Sequence, residues 1–116
     1  MLAYSKALKA FCKHNHLDLS QFHILGFDSF QGLPEKQNPA DDHPHWKQGN
    51  SAAGIPEIME KLRKAGIDPG WRTVHLVKGW FKESLTLELR EELKKWPPAI
   101  VTIVVDYYSS AKIVLE

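Results

Sequence analysis

Acidic side chains follow two of the apolar runs in this sequence. Asp28 comes directly after the run at 22–27, FHILGF, and Asp106 ends the run at 99–106, AIVTIVVD. A carboxylate at the carboxyl end of a buried strand is well placed to accept hydrogen bonds from the hydroxyls of a ribose. A purely local alternative is that Asp28 starts a turn and binds backbone amides further along the chain. The recurrence of an aspartate after a second run favours a small-ligand site at the strand ends.

A second group of candidate residues lies in a polar segment at 34–54. Its sequence DDHPHWKQGN contains Asp41, Asp42, His43 and His45, which are all side-chain types that bind metals. Their spacing matches no zinc pattern, and no thiolate accompanies them. A solvated loop is therefore favoured over a metal site, and the two histidines are candidate general bases by side-chain type alone.

Composition limits the classes of protein to which the chain can belong. Its 116 residues suit one small domain, and 15 basic against 14 acidic residues give a net charge of +1. That balance predicts no general attraction to nucleic acid or to anionic membranes. No apolar stretch approaches the roughly 20 residues that span a bilayer, and the first residues do not resemble a secretory signal. The single cysteine, Cys12, fits a reducing cytoplasm and is expected to be buried rather than nucleophilic.

The elements that must position these side chains alternate along the chain. Apolar residues at helical spacing predict helices, and short β-favouring runs predict strands. The predicted helices cover 4–14, a segment from Ile55 to Leu62, and 83–96; the predicted strands cover 22–27, 73–79 and 99–106. This order predicts an α/β domain with three parallel strands and flanking helices. The unbroken apolar run at 99–106 is typical of a strand buried on both faces, and His75 is expected to be a partly buried residue of the second strand.

Four segments of the sequence resemble a known protein family. They are FDSFQGLPE at 27–35, WKQGN at 46–50, VHLVKGWFKESL at 74–85 and VVDYYSSAK at 104–112. Their order and spacing are similar to those of the macrocin O-methyltransferase (TylF-type) family, and the resemblance covers nearly all of residues 5–116. These are class I methyltransferases that use S-adenosylmethionine. The resemblance implies a Rossmann-like sheet and methyl transfer to a hydroxyl, often on a sugar.

The resemblance also implies which residues bind the methyl donor. They are Asp28, Ser29, Phe30, Gly79, Trp80, Phe81, Asp106 and Tyr108. The aspartate after the first strand would hold the ribose, and the Gly-Trp-Phe segment would lie beside the adenine, where an aromatic face can stack. Asp106 and Tyr108 would lie near the acceptor and a divalent cation. The family usually has a second acidic residue where this chain has Val104, so Asp106 alone would make a poor Mg²⁺ site.

The chain begins at the helix that the glycine-rich turn of class I methyltransferases normally precedes. Residues 1–116 therefore read as a partial methyltransferase domain with little or no activity alone. The alternative is a non-catalytic module that binds a small ligand or another protein. Without the first strand of the family, the strands at 22–27 and 99–106 would have unpaired edges. We therefore expect a homo-oligomer with residues 99–116 at or near the interface.

Overall fold

The structure is a computed structural model, and it describes residues 2–67 and 74–116. Helices alternate with strands in the first part of the chain, and helices follow in the second part. The elements are α1 (Leu2–His14), β1 (Ile24–Asp28), α2 (Ile55–Lys64), β2 (Val74–Lys78), α3 (Phe81–Ser84), α4 (Leu87–Lys95) and α5 (Tyr108–Leu115). Single 3₁₀ turns occur at Leu19–Gln21 and Pro39–Asp41.

The sheet consists of β1 and β2 in the described part of the chain. The strands are parallel, with Ile24 opposite Val74 and Asp28 opposite Lys78. Their connection includes α2, as parallel strands require a crossover. The predicted order of helix, strand, helix and strand is therefore confirmed for this part of the chain.

One face of the sheet carries the main apolar core. Leu62 of α2, Ile67 and Val74 are almost completely buried, and Ile24 and Leu76 pack against them. The helical spacing of α2 presents its apolar residues to the sheet on one side. Proline in the first turn of α2 and a left-handed Gly66 (φ 68°) after its end fit the usual helix boundaries.

Cys12 is buried on α1, as the sequence predicts. Its burial suits a small packing residue, since a reactive thiolate needs access to its reaction partner. The helix that carries it also contacts α2.

The third predicted strand is not present in the structure. Residues 99–106 have no regular secondary structure, and Ile100 and Val104 are 84% and 82% exposed. A strand requires a neighbouring strand with which to pair its backbone, and this segment is not paired with β1 or β2. The prediction of a doubly buried strand at 99–106 is therefore wrong, and the sheet has two described strands rather than three.

The third predicted helix is divided into two. α3 ends at Ser84, whose hydroxyl donates to the carbonyl oxygen of Trp80 at 3.1 Å. Thr86 then begins α4, because its hydroxyl oxygen accepts from the amide of Leu89 at 3.2 Å. Such a threonine satisfies a backbone donor that a continuous helix would bind within its own turns. The sequence indicated helical structure here but not the break.

The last helix, α5, follows the extended segment and was not predicted from the sequence. It contacts α3 and the 3₁₀ turn at Pro39–Asp41, so it packs on these two elements rather than on the sheet core. Within residues 2–67 and 74–116, no helix is both long and apolar enough to cross a bilayer.

Candidate functional site

The carboxyl ends of the two strands lie side by side. β1 ends at Asp28 and β2 ends at Lys78, directly opposite. The amide of Gly79 donates to the carbonyl oxygen of Asp28 at 3.0 Å, which extends the pairing one step beyond β2. Gly79 has φ 153°, in a region that favours glycine. Two of the predicted donor-binding residues, Asp28 and Gly79, are thus brought together.

The side chain of Asp28 takes part in a local turn. Its Oδ1 accepts from the amide of Phe30 at 2.7 Å, and Phe30 has a left-handed φ of 57°. This is the turn role that the sequence left open as an alternative. Among the described residues, the hydrogen bonds to the Asp28 carboxylate involve only this oxygen, and the residue is exposed. The turn role therefore leaves Oδ2 accessible for a ligand.

The loop after Asp28 is docked against a second loop. The amide of Leu33 donates to the carbonyl of Asn50, and the amide of Gly49 donates to the carbonyl of Leu33, each at 2.9 Å. Gly32 lies so close to the backbone carbonyl oxygens of Gly49 and Asn50 that an added Cβ would overlap them. Ser29 is buried beside this contact, and its hydroxyl donates to the carbonyl of Gly32 at 3.3 Å. Two of the four resembling segments, 27–35 and 46–50, are therefore in direct contact.

Asp41 connects the polar segment at 34–54, the long loop, to α5. Its side chain is almost completely buried, and Oδ1 accepts from the amide of Ser109 in the first turn of α5 at 2.9 Å. Its Oδ2 accepts from the amides of Gln37 and Asn38 at 3.2 and 3.1 Å. The residue before α5, Tyr107, makes no capping bond through its side chain. A carboxylate at this end of a helix satisfies a free amide and is stabilised by the helix dipole.

The surroundings of Asp41 also determine its ionisation. Burial alone would raise its pKa, but the hydrogen bonds from Ser109, Gln37 and Asn38 outweigh that effect, and the pKa lies below its ordinary value. Asp41 is consequently an ionised structural group.

Two other candidate metal ligands of this loop, Asp42 and His43, also have protein partners. Asp42 accepts from Lys36 at 2.7 Å, and this hydrogen bond and charge lower the pKa of Asp42. His43 stacks on Trp46 with 4.3 Å between ring centroids, and Trp46 lies 5.8 Å from the ring of Tyr107. Within the described residues, no group of three or more histidine, cysteine and acidic side chains is arranged to hold a metal ion.

A surface groove of about 590 Å³ lies between α3, α5 and the start of the long loop. Ten residues line it: Gln37, Asn38, Phe81, Lys82, Leu85, Tyr108, Ser109, Lys112, Ile113 and Glu116. Two of them, Phe81 and Tyr108, belong to the predicted donor-binding set. The Nζ of Lys112 lies 3.6 Å from a carboxylate oxygen of Glu116 within the groove. Its volume is in the range of small-molecule sites.

The predicted site residues thus form two groups. Asp28 and Gly79 meet at the strand ends, with Ser29 and Phe30 in the adjoining turn and Trp80 just before α3. Phe81 and Tyr108 lie instead along the groove. Asp106 is exposed before α5, and the hydrogen bonds of the described residues connect its side chain to neither group. The structure therefore brings together only part of the predicted site.

The sequence analysis did not predict the structural role of Asp41, although one of the two patterns that define this role is local. Asn38 and Asp41 form a capping box around the turn at Pro39, a pattern in which an acidic residue follows the capping residue by three positions. The bond to Ser109 spans 68 residues and has no local signal.

In comparisons with known proteins, no family model matches the chain, and no curated protein or solved structure is significantly similar to it.

Proposed function

We propose that this chain binds the adenosyl part of S-adenosylmethionine at the carboxyl ends of β1 and β2, as an O-methyltransferase-like protein. The observation that carries the proposal is the exposed carboxylate of Asp28 beside the turn at Gly79. Ligands of open parallel α/β sheets bind at this edge, where the strand ends leave polar groups that do not pair within the sheet.

Each part of the ligand has a group that suits it chemically. The ribose hydroxyls would donate to Oδ2 of Asp28, because Oδ1 already accepts from Phe30. The adenine would lie near Trp80, whose ring offers an apolar face for stacking. Methyl transfer itself would require an acceptor hydroxyl held in line with the methyl carbon. The geometry supports the binding of the methyl donor. We propose that the chain alone transfers little or no methyl group to an acceptor.

Magnesium is not needed in this proposal. Asp106 is the acidic residue that the family resemblance would assign to the cation, and it is exposed before α5. A hard cation prefers several oxygen ligands, so one carboxylate binds Mg²⁺ poorly. Donor affinity is therefore expected to be the same with and without magnesium.

Calorimetric titration with S-adenosylmethionine and S-adenosylhomocysteine tests the proposal. Asp28→Asn should weaken binding more than tenfold, since a hydrogen bond to a charged group is worth about 1.5–3 kcal/mol. Asp18→Asn is a matched control, because Asp18 accepts from the amide of Ser20 at 2.9 Å in a similar turn away from the strand ends.

Two results would contradict the assignment. Equal donor affinity in Asp28→Asn and the parent chain would remove the ribose role. If the parent chain does not bind the donor at millimolar concentration, the proposed adenosyl site is wrong. The second candidate function, described next, would then be favoured.

That second candidate is a protein-interaction module that associates with itself. The specific observation in its favour is the exposed apolar segment between α4 and α5, in which Ile100, Val101 and Val104 are all more than half exposed. Contiguous exposed apolar residues of this kind are typical of interaction sites. In a dimer this segment would supply the third strand that the sequence predicts.

A further inference from the structure

The sheet face opposite the core carries a pair of histidines. Side chains alternate along a strand, so the burial of Ile24 and Val74 in the core places His23, Leu25 and His75 on the other face. His75 lies opposite Leu25 on the neighbouring strand, and His23 precedes β1. The two histidines therefore belong to adjacent chain segments of one surface, 52 residues apart in sequence.

Their ring nitrogens face one another. Nδ1 of His23 lies 3.2 Å from Nε2 of His75, and the ring centroids are 5.4 Å apart with planes inclined by 40°. Without a metal, one ring must donate an N–H to the lone pair of the other. The same two nitrogens, both unprotonated, are a pair of ligands directed at one region of space.

We propose that His23 and His75 form a binding site for a divalent transition-metal ion of the zinc type. Zinc binds histidine nitrogens at about 2.0–2.1 Å in tetrahedral geometry, which separates two such nitrogens by roughly 3.3–3.4 Å. The 3.2 Å between these nitrogens is close to that value. For both nitrogens to coordinate one tetrahedral ion, each lone pair must point roughly 35° away from the line between the nitrogens, so both rings must turn from a hydrogen-bonded arrangement.

The charge and proton balance of this site is simple. The ion replaces the hydrogen bond between the rings. The ring that donated this bond loses the proton from its facing nitrogen to solvent and gains one on its other nitrogen, so that His23 carries its proton on Nε2 and His75 on Nδ1. Within the described residues no group of three metal-binding side chains occurs. Water is the proposed ligand for the remaining coordination positions. Imidazole nitrogens suit Zn²⁺, Ni²⁺ and Cu²⁺ in preference to Mg²⁺ or Ca²⁺.

The other close histidine pair in the described part of the chain is less suitable. His43 and His45 have ring centroids 5.7 Å apart, and Nδ1 of His43 accepts from the amide of His45 at 3.3 Å. The ring of His43 also stacks on Trp46. Coordination there would break a bond from the backbone and a stacking contact, whereas coordination by His23 and His75 replaces the bond between their own rings.

Nitrogen NMR of the histidine rings during a ZnCl₂ titration tests the site in the unaltered chain. Zinc should shift Nδ1 of His23 and Nε2 of His75 together, with saturation at one equivalent. Zinc should also raise the midpoint of thermal unfolding, because it connects two chain segments only in the folded state.

Variants then locate the ligands. His23→Ala and His75→Ala should each weaken zinc binding at least about tenfold, the lower end of the loss seen when even supporting residues of metal sites are changed. His14→Ala, on the exposed end of α1, should bind zinc as the parent does. Circular dichroism of each variant checks that it is folded.

The proposal is overturned if the two ring nitrogens do not shift at millimolar zinc. It is equally overturned if zinc binding survives in His23→Ala but is lost in the double variant His43→Ala, His45→Ala. The nitrogen shifts in the parent chain decide the matter even if His75→Ala does not fold.

Discussion

Asp41 shows how one side chain can stabilise a region that has little apolar core. Its carboxylate accepts hydrogen bonds from three backbone amides, two in its own loop and one in the first turn of α5. Each oxygen of the carboxylate is used, and an uncharged amide side chain could not reproduce this arrangement because its NH₂ group cannot accept.

Asp41→Asn is therefore expected to lower the midpoint of thermal unfolding at pH 7 by roughly 5 °C, the shift produced by losing a helix cap in a domain of this size. Asp42→Asn is the control, since Asp42 is an exposed neighbour paired with an exposed lysine.

Because the pKa of Asp41 is lowered in the folded state, its stabilising effect is complete above the unfolded value near 3.8 and is lost as pH falls through the folded value. The difference between parent and variant should thus shrink below about pH 4 in thermal scans; a difference that does not depend on pH would contradict the role of the charge.

The docking of two loops can be tested with two glycines that have nearly the same backbone conformation. Gly32 has φ 80° and Gly49 has φ 82°, so alanine at either position carries a similar left-handed strain of about 1 kcal/mol. An alanine Cβ at Gly32 would also overlap the facing backbone, whereas one at Gly49 would meet nothing within 4 Å. Gly32→Ala should therefore be clearly less stable than Gly49→Ala in urea unfolding. Equal losses in the two variants would mean that the loops are not held together in solution.

At the level of elements, the sequence predicted those that are defined by their own residues. α1, α2, β1 and β2 follow from apolar spacing and from their boundary residues, and the meeting of Asp28 with Gly79 follows from the adjacency of parallel strand ends. The segment 99–106 shows where this reasoning fails. β-Branched apolar residues indicate that a segment fits a pleated surface. They do not indicate whether the folded chain has a strand edge with which the segment can pair. The bond from Asp41 to Ser109 was likewise unpredictable, because neither residue has a local pattern that identifies the other.

The whole molecule is elongated for its length. Its radius of gyration is 15.7 Å, against about 13.4 Å for a compact chain of 116 residues, and its extents are 49 × 32 × 21 Å. Both the free edges of the described sheet and the exposed segment at 99–106 belong to the same chain. A second copy could therefore pair the segment of each chain with the sheet of the other, in a symmetric arrangement.

We expect a homodimer at micromolar concentration, measured by light scattering coupled to gel filtration. Val104→Lys should shift the equilibrium to monomer, because Val104 is 82% exposed in the segment and a buried lysine there would lose hydration. Leu87→Lys changes an apolar residue that is 73% exposed on α4, outside the segment, and should leave the dimer intact. A parent chain that elutes as a monomer would refute this assembly.

The link between Asp41 and Ser109 also has a consequence for the order of folding. A contact across 68 residues closes a long stretch of chain, and such contacts cost more loop entropy to form than those within a helix or between neighbouring turns. The sheet pairs residues that are 50 apart, such as Ile24 and Val74, and its formation also buries the apolar core around Leu62, so it can form before the longer contact is made. We therefore expect the helix at 108–115 to dock after the rate-limiting barrier. In stopped-flow kinetics, Asp41→Asn should accelerate unfolding while leaving the refolding rate nearly unchanged, so this carboxylate would determine the lifetime of the folded chain rather than the speed at which it forms.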